Sequence, residues 1–422
     1  MPNKSSYRFV ASVWRKIEQR LPIVAFLKSY SGSALLDDAI AGTTVALTVI
    51  PQSVAIAAVA GLPAQYGLYS AFINGFVYAI FGSVKEVSIG PTVVTAMLTQ
   101  PYVLQFGPEV ATTICIYSGI IVTLLGIFNL GFVVDLISTP VLAGFMSAAG
   151  LSVMTGQIPA LLGIAGGGSN FLQYWIHIWK HAHEAHLWDI VLGVCCITVI
   201  FTLQYLGSSI LRSSTKVQLL QRRAFTVPLR YISLGRNAIV VVVCTAGVAA
   251  ITQSGRPSPV RVCGDIPVGL PSILLPRMTI WDANDTSLGV ADTANYLLPS
   301  LVMPLNIIVE SMMSANAFAR GTSIDTSQEL LAVGACNVIG SFFQSFSVAG
   351  SITRTAINHA SNVRTTFGGV VTSAMVILSL VYLTAALKFL PNATLGAVVF
   401  CAVAFLVRIH IDAKRLWRSC SE

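Results

Sequence analysis

A chain of 422 residues that is 55% hydrophobic and only 10% charged cannot cover a water-facing surface, since a soluble domain carries about a quarter charged residues. This excludes a soluble globular enzyme or binding domain. The net charge of +8 resides in loops between apolar runs, which excludes a nucleic-acid-binding face. The runs are unbroken, unlike the ~10-residue alternating strands of a membrane barrel, so the fold class is an all-α polytopic membrane protein.

The N-terminal tail, residues 1–36, carries Lys4, Arg8, Arg15, Lys16, Arg20 and Lys28 and is expected in the cytosol. It lacks the compact apolar core of a cleavable signal. Seven spans follow, at 37–60, 65–82, 90–105, 110–130, 132–160, 188–206 and 237–253, forming a first transmembrane repeat over 37–253. The first span carries Pro51 and Gln52. The third opens on Gly90, Pro91 and Thr92, and at about a dozen residues it is too short to cross ~30 Å of hydrocarbon as a helix. Between the fifth and sixth lies an outer loop with His177, His181, His183 and His186. The i,i+4 pair His177/His181 has metal-ligand spacing, but no cysteine or carboxylate set completes it, and no metal site is expected. Residues 207–237 carry Arg212, Lys216, Arg222, Arg223, Arg230 and Arg236 and no acid, which places them in the cytoplasm.

Residues 254–293 form an extracellular loop whose acidic part holds Asn284, Asp285 and Thr286, a glycosylation acceptor at Asn284. The acceptor at Asn392 abuts an apolar run and is expected to be inaccessible. Five spans then follow, at 294–316, 328–346, 350–362, 368–388 and 392–409, as an incomplete second repeat over 294–409. A basic cytosolic tail, 410–422, comes last. The eighth span carries Glu310. Ile324 to Glu329 read as the start of a helix capped by Asp325 or Ser327, and Asn337, Gly340 and Ser341 are close-packing positions with one polar handle. The tenth opens on Gly350, Ser351, Ile352, Thr353 and Arg354 and is again short.

Seven spans ahead of the acidic loop make the two halves antiparallel, as in an inverted repeat. Short, interrupted segments at matching places in such a repeat mark a substrate site. Extended backbone at Gly90 and Gly350 leading into half-helices survives at depth only inside protein or beside water. Two helix N-termini aimed at one point attract an anion. Glu310 and Arg354 are the two charges deep in apolar sequence, where ionisable groups face a cavity or each other. Arg354, one turn into its half-helix, adds fixed positive charge; Glu310 binds a proton or cation, or neutralises Arg354. Gln52 offers a hydrogen-bond donor to an oxyanion. No phosphate-cradling loop or catalytic constellation occurs. Neither an ATP-driven pump nor an enzyme is expected, and no cofactor.

Spaced motifs in both halves resemble one family. Pro63, Ala64, Gln65, Tyr66, Gly67, Leu68, Tyr69, Ser70 and Ala71 are followed by Phe81, Gly82 and Ser83 and then by Ser88 to Pro91. The second half adds Glu310 and Ser311; Asp325, Gln328, Glu329 and Leu330; Asn337 to Ser341; and Arg354 to Asn358. This is similar to the SulP group, solute carrier family 26 in animals, and most to its sodium-independent sulfate branch. The resemblance implies a seven-plus-seven inverted-repeat fold with core and gate domains, half-helices at spans 3 and 10, and elevator-type alternating access. By position it implies a binding set of Gln52, Ile56, Gly90, Thr92, Gly350, Ile352, Thr353 and Arg354, with Glu310 in coupling or charge compensation. It further implies a secondary active transporter or antiporter of sulfate, with chloride, oxalate or bicarbonate as further anions. A homodimer in the plasma membrane is expected, with the lysosomal membrane as the alternative. About twelve of the family's fourteen spans precede Glu422 and its STAS domain is absent, so a fragment, an isoform or an incomplete gene model is expected. The alternatives are a passive anion channel, a uracil/xanthine-type carrier of the same fold, and a transport-inactive subunit regulating a longer partner.

Overall fold

The computed structural model describes residues 20–28, 30–132, 139–164, 166, 171–213, 232–233, 235–255, 258–264, 267, 269–276, 302–318 and 324–404. A short helix α1 (Pro22–Lys28) precedes α2 (Gly32–Val59), whose first turn is capped by Ser31 Oγ accepting from the Ala34 N–H at 3.3 Å. Helix α2 ends where Gly61 turns the chain at φ +71°, a conformation only glycine adopts freely. Then follow α3 (Ala64–Phe81), a three-residue strand β1 (Ile89–Pro91), α4 (Val93–Phe106), α5 (Glu109–Ile127), α6 (Thr139–Leu162), α7 (Phe171–Lys180), α8 (Leu187–Ser213) and α9 (Arg236–Gln253). The second half supplies α10 (Val302–Phe318), α11 (Thr326–Ser341), a second strand β2 (Val348–Gly350), α12 (Ile352–Ala360), α13 (Phe367–Leu387, with a π turn) and α14 (Asn392–Ala404).

Five described helices are long and apolar enough to cross a membrane by length and composition: α2, α5, the Leu187–Leu206 part of α8, α9 and α13. Outward-facing Leu124, Val194, Val242, Val243 and Leu378 are tolerable there because lipid, not water, surrounds a spanning helix.

Lipid provides no hydrophobic drive between helices, so close packing through small residues has to hold them. A Cβ on Gly67 of α3 would lie 2.0 Å from the Ser53 carbonyl of α2, and one on Gly75 would lie 2.2 Å from the Gly369 carbonyl of α13. The same device joins α5 to α11, where Gly126 meets the Leu331 backbone and Gly334 meets Thr123. A second group, α6, α8, α9 and α14, packs on itself and meets the first group chiefly along α2.

The two strands form one antiparallel ladder, Ile89 opposite Gly350, Gly90 opposite Ala349 and Pro91 opposite Val348. Helices α4 and α12 therefore leave it in opposite directions, as inverted halves require. Asn337 of α11 closes the outer edge of β2 as a third strand would: its Nδ2 donates to the Val348 carbonyl at 3.0 Å, and its Oδ1 accepts from the Val348 N–H at 2.9 Å. Of the two expected caps, Asp325 is the one that caps α11, accepting from the Gln328 N–H at 3.0 Å.

Two buried carboxylates pin the flanking loops. Glu329 accepts from the Tyr78 hydroxyl at 2.8 Å and from the Ser83 and Val84 N–H groups at 2.8 and 3.1 Å, holding the loop that feeds β1. Asp38 accepts from the Arg364 and Thr365 N–H groups at 2.7 and 3.0 Å and from the Thr365 hydroxyl at 2.6 Å, holding the loop that leaves α12. A buried carboxylate is costly unless so satisfied, so these loops are fixed in place. The expected glycosylation residue, Asn284, and the tail 410–422 lie outside the described residues.

Candidate functional site

The site is built where the ladder gives way to helix. Thr92, with extended backbone (φ −119°, ψ 160°), caps α4: its Oγ1 accepts from the Thr95 N–H at 3.3 Å, and Thr95 Oγ1 accepts in return from the Thr92 N–H. That capping box satisfies two of the amides a helix start leaves free. Helix α4 has 14 residues and is about 21 Å long, short of the ~30 Å hydrocarbon thickness. Helix α12 has nine and is about 14 Å long. Its cap residue, Ser351, makes no side-chain bond to the helix start; its Oγ instead meets Thr353 Oγ1 at 2.9 Å. The first-turn amides of α12 are thus left for another acceptor, while α4 is self-capped.

Gly350 sits at the ladder end against α10. Its N–H donates to Ser311 Oγ at 3.0 Å and its carbonyl accepts from Ser314 Oγ at 2.9 Å. A Cβ there would lie 3.0 Å from Ser311 Cα, so glycine permits the approach. One turn before Ser314 on the same helix, buried Glu310 accepts from the Thr92 hydroxyl at 2.6 Å. Gln52, buried on α2, makes no protein hydrogen bond among the described residues and points its amide into a cavity of about 50 Å³. A single water needs about 10–15 Å³ by this measure, so the space admits a small ion.

Gln52, Thr92, Glu310, Gly350, Ile352 and Thr353 line that cavity together. Ser351 joins them, and Gly150 and Val153 of α6 with Ala402 and Val403 of α14 supply the facing wall. Ile56, Gly90 and Arg354 are not on its surface. Ile56 is wholly buried one turn beyond Gln52, within the hydrophobic core. Arg354 passes behind the ladder: its Nη1 donates to the Pro91 carbonyl at 2.7 Å, and Nη2 lies 3.3 Å from where a Gly90 Cβ would stand. Gly90 therefore makes room for the guanidinium. The Nε and Nη2 of this fully buried arginine have no protein acceptor. No ion pair joins it to Glu310 among the described residues.

Of Ser311 and Ser314, which together hold the Gly350 backbone, sequence reasoning named the first only as part of a motif and missed the second, and it missed the four apolar residues of the facing wall. Ser311 adjoins Glu310 in the chain, a signal too weak to separate it from other membrane serines. His177 of α7 and His181, just past its end, bring their ring centroids to 4.3 Å, with His181 Nδ1 3.0 Å from the His177 carbonyl. Among the described residues no group of three or more histidine, cysteine or acidic side chains has the geometry to hold a metal.

A family model described as the sulfate permease family matches residues 35–422. The bovine sodium-independent sulfate anion transporter is 36% identical over 95% of this chain and 66% of its own length. The solved structure of SLC26A9 superposes with a TM-score of 0.82 at 22% identity, covering 99% of this chain and 64% of that one. The transmembrane domain of a cyanobacterial bicarbonate transporter, BicA, gives 0.72 at 20% identity, with 90% of each chain covered. The chain thus spans just under two thirds of the length of the first two proteins it matches. With residues 35–422 matched and the paired half-helices in place, the chain belongs to the sulfate permease family.

Proposed function

We propose that this chain binds a small inorganic oxyanion, sulfate foremost, where the two half-helices begin, and carries it across the membrane as a secondary active transporter. One observation carries the reading. The Gln52 amide, the uncapped amides of Ile352 and Thr353, and the Thr92–Glu310 pair converge on one ion-sized cavity, with the two unpartnered donors of Arg354 behind it. Helix starts and a guanidinium stabilise an anion of this kind electrostatically. The name of the bovine relative supports sulfate; chloride, oxalate and bicarbonate are further candidates.

The facing wall belongs to α6 and α14, which pack with the other helix group. That division supports elevator-type access, in which the ladder group slides along α6 and α14 with the anion. Exchange, a homodimeric assembly, plasma-membrane residence and glycosylation at Asn284 belong to the same proposal. The basic segments put the start of α2 at the cytoplasmic face and Gly61 at the outer one.

The test is radiolabelled sulfate uptake in cells expressing the full chain, with surface protein measured by biotinylation. Arg354→Gln is expected to lower uptake more than about tenfold, the scale of losing a buried charge-assisted interaction, at unchanged surface level. Retained uptake removes Arg354 from the anion site. A reversal potential that tracks one anion's gradient, without exchange, would mean a passive channel instead.

A further inference from the structure

A second and larger cavity, of about 510 Å³, adjoins the first at Val153, and on the proposed topology it lies on the outer side. The same helix faces line both. On α4, Val93 borders the inner cavity, and Met97, Gln100 and Leu104 border the outer one; this spacing of three and four is one helix face. On α2, Gln52 is followed by Ala55 and Val59, and Val153 of α6 belongs to both walls. From Val93 to Leu104 the path rises about 16 Å.

Arg261 is the one acidic or basic side chain lining this cavity among the described residues. Its backbone is fixed at both ends. The Arg261 N–H donates to Asp189 Oδ1 at 3.3 Å, and its carbonyl accepts from the Asn392 N–H at 2.9 Å. Two residues on, the Cys263 N–H donates to the Leu390 carbonyl at 2.9 Å. Among the described residues the guanidinium itself has neither hydrogen bond nor ion pair. Asp189, which feels the charge of Arg261, takes its backbone N–H rather than a guanidinium hydrogen bond, and its other oxygen is turned toward Gly163. The opposite side is lined by Gln100 and Tyr174, whose amide and hydroxyl meet at 3.0 Å, with Asn392 and Gln157 nearby. An arginine whose backbone is held at two points, whose guanidinium has no hydrogen bond among the described residues, and which shares its cavity with neutral hydrogen-bonding groups is suited to receive an anion.

We propose that this outer cavity is a second anion site, an antechamber in which Arg261 captures a small oxyanion such as sulfate before it reaches the half-helices. The inference rests on the transport reading only for the direction of traffic; the binding claim is independent of it.

The experiment places a reporter, Leu104→Cys, in the full chain with Cys195 and Cys263 changed to serine, and labels intact cells with anionic or cationic methanethiosulfonates. The anionic reagent should be favoured, and external sulfate should slow labelling. Arg261→Gln should cut the anionic-to-cationic rate ratio about three- to fivefold, the scale of one partly solvated charge, and abolish protection by sulfate. Arg261→Lys should keep most of the ratio, which shows that the fold tolerates substitution there. An unchanged ratio in Arg261→Gln, or no sulfate protection in the reporter parent, overturns the proposal. Sulfate uptake by the same cells separates the two readings. Protection without uptake upholds the antechamber and removes transport; uptake without protection does the reverse.

Discussion

Arg354 and Glu310 are the two deep charges, and the structure gives them different companions. Arg354 reaches across the ladder to the Pro91 carbonyl, whereas Glu310 takes the Thr92 hydroxyl. Each thus ties one repeat to the other, with no direct ion pair between them. If Glu310 exchanges a proton as the anion moves, Glu310→Gln should keep uptake but flatten its dependence on external pH, because the amide oxygen still accepts from Thr92 and cannot titrate. A pH profile identical to the parent's assigns Glu310 to structure alone. That these residues matter was legible from the sequence, since a charge in an apolar run needs a partner. Where Arg354 points was not. Helical spacing assigns a face, but the long side chain turns behind the ladder, into space that a Cβ on Gly90, in the other half of the chain, would tighten.

Both half-helices were legible as elements, because Gly90, Pro91 and Gly350 break apolar runs too short to span. Their pairing was not, since three-residue strands have no periodicity to read. The unequal starts of α4 and α12 also came only from the structure: a threonine and a serine are similar as letters, but Thr92 caps its helix and Ser351 does not. Asn337 is the element-scale test of the ladder. Asn337→Ala leaves the Val348 N–H and carbonyl without those partners, at about 1–3 kcal/mol for each buried group. The detergent-solubilised variant should therefore unfold several degrees below the parent and lose sulfate uptake. Unaltered melting and uptake would show that β1 alone orders β2.

At the scale of the molecule, composition and loop charge were enough to read a helical membrane protein with antiparallel halves, and the comparison with SLC26A9 supports that fold. The wall of α6 and α14 across the cavity could not be read, because Gly150, Val153, Ala402 and Val403 are ordinary membrane residues far apart in the chain. If the ladder group slides along that wall, Val153→Cys and Ile352→Cys joined by a short bifunctional thiol reagent should stop uptake. A reducible linker should let it resume on reduction. Uptake that continues through a verified cross-link excludes the sliding motion.

The ladder has one more consequence. Backbone bonds between β1 and β2, with Asn337 bracing one side, make the two half-helix starts a single cassette, unable to open like jaws. If the cassette slides as proposed, a ligand held there keeps the same half-helix groups whichever face of the membrane it addresses, and only the facing wall changes. The half-helix share of the affinity is then equal from both sides, and a difference in apparent affinity would arise in the facing wall or in the approaches, one of which would hold Arg261.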